Sequence, residues 1–355
     1  MSAPHAPTRA AASPIARASR PGLTVAVIGC GLIGAKRVAA LAPQDELLAC
    51  CDLDPAAATR LAAARGARVC ATPEELLACA AQVVVVATVH DQLAPLAAQA
   101  LAAGAHVLVE KPAAISAEQA DRLVACQRAA DRLVKVGFNH RFHPAIARAV
   151  AETHSGRHGQ LLHVRARYGH GGRPGYEREW RADPARSGGG ELIDQGMHLL
   201  DLSNWLAGPL PLHSALLRTQ FWDAEVEDNA ALLLGEPARR GPWALLHVSW
   251  TEWKNLFSLE IYCHSAKLQL DGLAGSYGPQ RLRIYRMAPE LGPPTLEEVG
   301  YPDEDVSWQR EWEHFAAAVL AADGRPLLGD LRCARDAWEQ VEAAYAAQAL
   351  EVSRP

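Results

Sequence analysis

The sequence has no stretch able to span a bilayer: its longest uninterrupted apolar run, Phe315 to Ala322, is mostly alanine and far short of the roughly 18 residues a spanning helix needs. It has no excess of positive charge either. A formal net charge of -5 leaves no basic field to gather a polyphosphate backbone, which argues against nucleic acid as a partner. Lysine is scarce, with only five (Lys36, Lys111, Lys135, Lys254, Lys267) among 35 basic residues, so a lysine inside a motif is hard to dismiss as solubilising charge. The eight cysteines (Cys30, Cys50, Cys51, Cys70, Cys79, Cys126, Cys263, Cys333) include no Cys-x-x-Cys pair, and the first six fall where the pattern reads as buried strand or helix. They read as reduced core residues, and a cytoplasmic location is expected. No tryptophan precedes Trp180, although the chain has nine. That asymmetry predicts two domains of different core chemistry, the first rich in Ala, Val and Leu and the second aromatic. Residues 1–20 lack acidic side chains, as a targeting peptide would, but they also lack an apolar h-region, and Pro4, Pro7 and Pro14 interrupt any helix. Residues 1–21 are therefore expected to be a disordered tail.

What is present is a globular composition, 49% hydrophobic and 21% charged over 355 residues, enough for two domains at about 150 residues each. From Leu23 apolar strands alternate with helices: Leu23–Ile28, a glycine-rich turn, a helix over 33–41, then Leu47–Cys51 ending at Asp52. Asp54 and Pro55 cap a helix through Arg65. Strands at 68–70, 83–87, 106–109 and 133–136, with helices at 73–79, 92–103 and 117–130 between them, predict right-handed βαβ crossovers and a parallel sheet covered on both faces. Beyond residue 143 the pattern changes to a helix over 144–152, a strand over 161–168, a Gly/Arg-rich stretch over 169–190 and a helix over 191–206. Strands near 213–221, 229–234, 243–250, 256–264, 267–270 and 281–285 suit an antiparallel sheet, and helices over 308–322 and 331–350 close the chain. The expected architecture is α/β: a doubly wound Rossmann domain over residues 22–142, then an α/β domain with a large open antiparallel sheet over 143–355.

Three motifs carry chemistry. Gly29-Cys30-Gly31-Leu32-Ile33-Gly34 follows a buried strand, opens a helix and has an acid, Asp52, about 20 residues on. Gly29 allows the tight turn, Gly31 lets the backbone approach a pyrophosphate, and Gly34 lets helix pack on strand. Asp52 would accept hydrogen bonds from the adenosine ribose and repel a 2'-phosphate, which favours NAD over NADP. Glu110-Lys111-Pro112 sits at the carboxyl end of a parallel strand, where open α/β sheets place their ligands; a lysine on an ordinary surface loop is the competing reading. In Gly188-Gly189-Gly190-Glu191-Leu192-Ile193-Asp194-Gln195-Gly196-Met197-His198-Leu199-Leu200-Asp201, the spacing puts Asp194, His198 and Asp201 on one side of a helix. Apolar neighbours would lower the trio into an interior or cleft, where a carboxylate can orient an imidazole; an exposed pair or an N-terminal cap is the plainer alternative.

The ordered combination resembles the glucose-fructose oxidoreductase / inositol dehydrogenase / MocA family over about Leu23 to Leu350, including Val136-Gly137-Phe138-Asn139-His140-Arg141-Phe142 after the last Rossmann strand. The resemblance implies oxidation or reduction of a sugar or cyclitol carbinol, a sheet often used for oligomerisation, and a catalytic set that maps onto Lys111, Asp194 and His198. After Asn139 many members carry arginine where this chain has His140, so a substrate contact there differs in kind. Read chemically, His198 is the candidate general base, Lys111 stabilises the developing alkoxide, and Asp194 orients His198 or binds an adjacent hydroxyl; Lys111 and His198 can exchange roles. The expected cofactor contacts are Gly29, Gly31, Leu32, Ile33, Gly34, Asp52, Leu53, Thr88, His90, Glu110, Lys111 and Asn139. The expected substrate contacts are His140, Tyr168, Trp180, Arg181 and Asp201.

The glycine-hinged stretch Tyr168 to Arg181 reads as a substrate lid or as a solvated excursion. Trp250, Trp253, Lys254 and Asn255 can line the cleft or serve core and interface. Asp223, Glu225, Glu227 and Asp228 would favour a polyamine sugar if near the cleft, a solvated turn otherwise. His140, His143, His154, His158, His163 and His170 raise a metal site, which is rejected: Gly156 and Gly159 break the face, and hydride transfer to NAD needs no metal. The expected function is NAD-dependent oxidation of a secondary hydroxyl on a sugar, amino sugar or cyclitol to a ketone, in aminoglycoside or other natural-product sugar biosynthesis. The alternatives are reduction of a keto-sugar by the same site and a non-catalytic NAD-sensing regulator. The expected partners are the small-molecule substrate and a second copy, as homodimer or homotetramer through the C-terminal sheet, with no membrane and no nucleic acid.

Overall fold

A computed structural model of the protein describes residues 8–9, 20–238, 240–290, 292–321 and 327–352. Of the expected disordered tail over residues 1–21, residues 1–7 and 10–19 lie outside the described residues, but its end is ordered: the Arg20 guanidinium pairs with Asp45 at 2.7 Å and Glu313 at 3.0 Å. Thr8 and Arg9 form a short strand parallel to the edge of the second sheet.

The first half is the expected alternation: β1 (Thr24–Ile28), α1 (Leu32–Ala40), β2 (Glu46–Cys51), α2 (Pro55–Ala63), β3 (Arg68–Cys70), α3 (Pro73–Leu77), β4 (Val83–Val86), α4 (His90–Ala102), β5 (His106–Val109), α5 (Ala117–Ala130) and β6 (Val134–Val136). Local chemistry sets the helix starts. Asp54 accepts from the Ala56 amide with Pro55 behind it, and Thr72 and Ser116 cap α3 and α5 in the same way. The sheet order is β3-β2-β1-β4-β5-β6, all parallel, the doubly wound order whose reversal between β1 and β4 opens a crevice at the strands' carboxyl ends. All four valines of β4 are buried, as a strand covered on both faces requires.

The second half comprises α6 (Pro144–His154), β7 (Leu161–Gly169), a π turn (Leu192–Gly196) continuing into α7 (Met197–Ala207), β8 (Leu212–Arg218), β9 (Asn229–Leu234), β10 (Trp243–Ser249), β11 (Leu256–Cys263), β12 (Ala266–Asp271), β13 (Arg281–Arg286), β14 (Thr295–Gly300), α8 (Ser307–Ala321) and α9 (Leu331–Val352). The strands order as β14-β13-β12-β11-β7-β10-β9-β8, antiparallel except for the parallel β7–β10 pair. One face packs on α6, α7 and α9, where Val164, Ala166 and Tyr168 of β7 are buried. The other face carries Arg165, Arg167, Trp243 and Leu245 outward. Strand β14 was not expected from the sequence. The closing helices return to the first domain: Trp312 and Phe315 of α8 share a core with Val25, Val27 and Val85, and the Trp338 indole of α9 donates to the Pro112 carbonyl at 3.1 Å. Among the described residues no helix is long and apolar enough to cross a membrane.

Candidate active site

A cavity of about 980 Å³ lies between the two sheets. Its first wall is the glycine turn. Gly29 has φ +95°, and a Cβ there would stand 2.4 Å from the Ala87 carbonyl oxygen, so only glycine fits. At Gly34 a Cβ would meet the Gly29 carbonyl oxygen at 2.0 Å, so this glycine serves helix-to-strand packing and does not itself line the cavity. Gly31 is different: no atom lies within 4 Å of where its Cβ would sit, and that open space at the N-terminus of α1 is where a pyrophosphate fits. Asp52 is held against the turn, accepting from the Cys30 amide at 2.6 Å and the Asp54 amide at 2.8 Å. A carboxylate has lone pairs left for ribose hydroxyls. Leu32, Ile33, Leu53, Thr88, His90 and Asn139 also line the cavity, so the residues present fit NAD.

The same cavity holds the candidate catalytic residues. Lys111, in a turn after β5 and joined to Pro112 by a cis peptide bond, donates from Nζ to the Asp194 carboxylate at 2.6 Å and to the Asp194 carbonyl at 2.5 Å. The other Asp194 oxygen lies 3.2 Å from Arg181. Burial pushes the Asp194 carboxyl up, but the Lys111 and Arg181 cations overcome it and hold the group well below the ordinary carboxylate range. His198 lies one turn along, with Nδ1 buried and unpartnered. Burial first, and then the Lys111 charge, push the His198 imidazole well below its ordinary value of 6.5, so it is neutral at pH 7. His140 stacks on His198, ring centroids 3.7 Å apart, while Tyr168, Trp180 and Arg181 complete the wall.

Two family models match the chain, an oxidoreductase family model described as an NAD-binding Rossmann fold over residues 23–138 and a GFO/IDH/MocA C-terminal domain over residues 146–269. The chain belongs to the GFO/IDH/MocA oxidoreductase family. It is 32% identical over 215 residues to inositol 2-dehydrogenase 2 of Saccharopolyspora erythraea, a match covering 57% of this chain and 61% of that protein. Against the myo-inositol dehydrogenase Hyg17 of Streptomyces leeuwenhoekii it is 34% identical over 193 residues, 52% of this chain and 56% of the other. These matches thus span less than two thirds of either relative. Among solved structures, GenD2 from gentamicin A biosynthesis, in complex with NAD, superposes with a TM-score of 0.78 at 28% identity over 93% of this chain and 95% of its own.

Within this GFO/IDH/MocA chain several expected residues do other work. Asp201 is not a substrate contact: it is fully buried outside the cavity lining, and both its oxygens accept from Arg141 at 2.6 and 2.8 Å. Asp194 does not orient His198; its oxygens face Lys111 and Arg181. Glu110 borders the cavity, but its carboxylate accepts from Arg37 at 2.6 Å, so it anchors α1. His90 borders it too, with Nδ1 on the Ser187 carbonyl at 2.9 Å and its ring edge-on to Trp180. The stretch 168–181 does form cavity wall, through Tyr168, His170, Arg173, Tyr176, Trp180 and Arg181. Trp250 is core, Trp253 is exposed, and neither lines the cavity. Glu227 accepts from the Gly190 and Leu192 amides and Asp228 from the Gln220, Phe221 and Trp222 amides, so two members of the acidic run brace backbone, Glu227 that of the π turn carrying Asp194, and neither lines the cavity.

Among the described residues the one grouping with metal-ligating reach is His170, Glu191 and Asp194, whose atoms lie within 4.8 Å of one another. Lys111 and Arg181 already hold Asp194, so a divalent ion there would face two cations. Sequence reasoning missed Lys36, His143, Gln195, Tyr277, Asp305 and Trp308, all of which line the cavity. Lysine scarcity flagged Lys36; for Tyr277, in a turn after β12, no local signal exists.

Proposed function

We propose that the chain is an NAD-dependent dehydrogenase that oxidises a secondary hydroxyl of a sugar, amino sugar or cyclitol to a ketone in aminoglycoside or other natural-product sugar biosynthesis. The observation that carries this reading is the presence of a neutral imidazole and a carboxylate-held ammonium in the cavity that the glycine turn opens. The likeness to GenD2 supports the pathway class. NAD, when bound, supplies the hydride acceptor. Lys111 hydrogen-bonds the carbinol oxygen and stabilises its negative charge as the proton leaves. His198, neutral at working pH, accepts that proton, a contribution of about 10²–10⁴-fold for a positioned base. Asp194 keeps Lys111 and Arg181 in place, and its burial with them excludes water from the reacting centre. Residues 22–142 hold the nucleotide, with α8 packed into their core, and the rest of residues 143–355 holds the substrate. The protein works in the cytoplasm as a homodimer or homotetramer joined through the open face of the second sheet, where Trp243 and Leu245 stand outward.

The test is incubation with NAD and a panel of sugars, inositols and aminoglycosides, reading reduced-nicotinamide absorbance. Turnover with at least one polyol, abolished in Lys111→Ala and His198→Ala while NAD binding persists, is the expected result. NAD binding with no turnover of any panel member would sink the reading.

A further inference from the structure

His140 borders the cavity and is only 5% exposed, and its ring plane is inclined 24° to that of His198 at a centroid distance of 3.7 Å. A chain of hydrogen bonds fixes its tautomer. Ser307 donates its hydroxyl to Asp305 at 2.5 Å, so it can only accept from Asn139 Nδ2 at 2.9 Å. That leaves Asn139 Oδ1 as the acceptor 3.2 Å from His140 Nδ1, which therefore carries the proton. His140 Nε2 is then a buried lone pair without a partner. Tyr168 at 5.1 Å, His143 at 5.5 Å and Phe257 at 5.9 Å close the other sides of the ring. The result is a clamped, uncharged aromatic face lying against the imidazole that must become positive during oxidation. A cation gains from an aromatic face at this range, most when water is excluded.

We infer that His140 is a positioning residue for proton transfer: its clamped neutral ring holds the plane of His198 and stabilises the charge His198 takes up with the substrate proton. The inference rests on His198 being the proton acceptor of the proposed dehydrogenase. The other groups facing His198 are Lys111 after β5, Arg37 on α1, His143 at the start of α6, Asp194 on the π turn and Tyr168 on β7. Lys111, Arg37 and His143 oppose protonation and Asp194 favours it. Burial first, and then the neighbouring His198 and His143 rings and the Lys111 ammonium, push the His140 imidazole itself well below 6.5, consistent with the neutral tautomer the hydrogen bonds require.

An NMR titration of the imidazole carbons in the NAD-bound protein reads the coupling without needing turnover, the His198 signal being assigned by its loss in His198→Gln. In the wild type His198 stays neutral to below pH 6.5. His140→Arg places a cation on the stack and moves the midpoint down by about one pH unit or more. His140→Leu keeps the bulk but removes the aromatic face and moves the midpoint down, while His140→Phe keeps volume and stack and leaves it within about half a unit. The acid limb of kcat/KM follows the same order with KM for NAD unchanged, a signed pattern that a merely structural loss would not produce. Turnover with identical midpoints in wild type, His140→Arg and His140→Leu overturns the inference alone. Shifted midpoints with no polyol oxidised overturn the dehydrogenase reading, and the inference with it.

Discussion

Asp194 and Asp201 sit seven residues apart in one motif and do unrelated work. Asp194 is fixed between two cations at the cavity, whereas Asp201 is sealed against Arg141. Local spacing placed both on the same side of an ideal helix, and it could not show a partner such as Arg141, sixty residues back in the chain. Asp201→Ala would strand a buried guanidinium, so we expect a loss of about 3–5 kcal/mol in urea unfolding, with substrate KM unchanged in the protein that remains folded. A raised KM at wild-type stability would restore Asp201 as a substrate contact. The pH dependence belongs to His198. Its folded value lies well below 6.5, so the neutral base persists as pH falls through 6.5, and the acid limb of kcat/KM is expected below that point. A limb at or above 6.5 would contradict a buried neutral imidazole as the acceptor.

Elements whose signal is apolar periodicity or a cap were legible. β4 reads as Val83 to Val86, and α5 runs from Ala117 to Ala130 as the spacing predicts. Strand β14 was not legible because its pairing uses charge: Glu298 accepts from Arg283 at 2.6 Å and Glu297 from Arg286 at 2.7 Å on β13, with Val299 its one buried apolar side chain. The π turn Leu192–Gly196 was also invisible, since its residues read as the first turn of an α-helix; such turns recur at functional sites, and this one carries Asp194. The glycine turn gives a paired test. Gly31→Ala has room in the folded protein, so we expect an unchanged Tm and NAD affinity lowered at least about tenfold by the added methyl in the pyrophosphate space. Gly34→Ala forces a Cβ onto the Gly29 carbonyl and should lower both Tm and affinity. Equal NAD affinity in wild type and Gly31→Ala would remove the pyrophosphate from this turn.

At the scale of the molecule, two folding halves are tied by buried charge. Glu311 on α8 lies 2.5 Å from Arg37 of α1 and 2.7 Å from Lys135 of β6, and Arg37 continues to Glu110 beside Lys111. Lys135 is one of the five lysines, and it is fully buried. The scarcity that singled out Lys111 thus also marked a structural lysine, a role no local pattern could separate from a catalytic one. Glu311→Gln leaves two buried cations short of a counter-charge, and a loss of about 3–5 kcal/mol is expected. Since α8 and α9 complete the first domain's packing, unfolding should remain one transition; two separate transitions in calorimetry would show that the halves are independent.

The central claim is that this cavity moves a hydride from a carbinol carbon to bound NAD while Lys111 and His198 manage the proton. It is tested most directly by offering NAD and carbinol-deuterated inositols and sugars, then weighing the reduced cofactor by mass spectrometry. The account predicts one deuterium carried into the cofactor per turnover and none detectable with Lys111→Ala. Reduced cofactor without the label, or bound NAD that no polyol reduces, would contradict it.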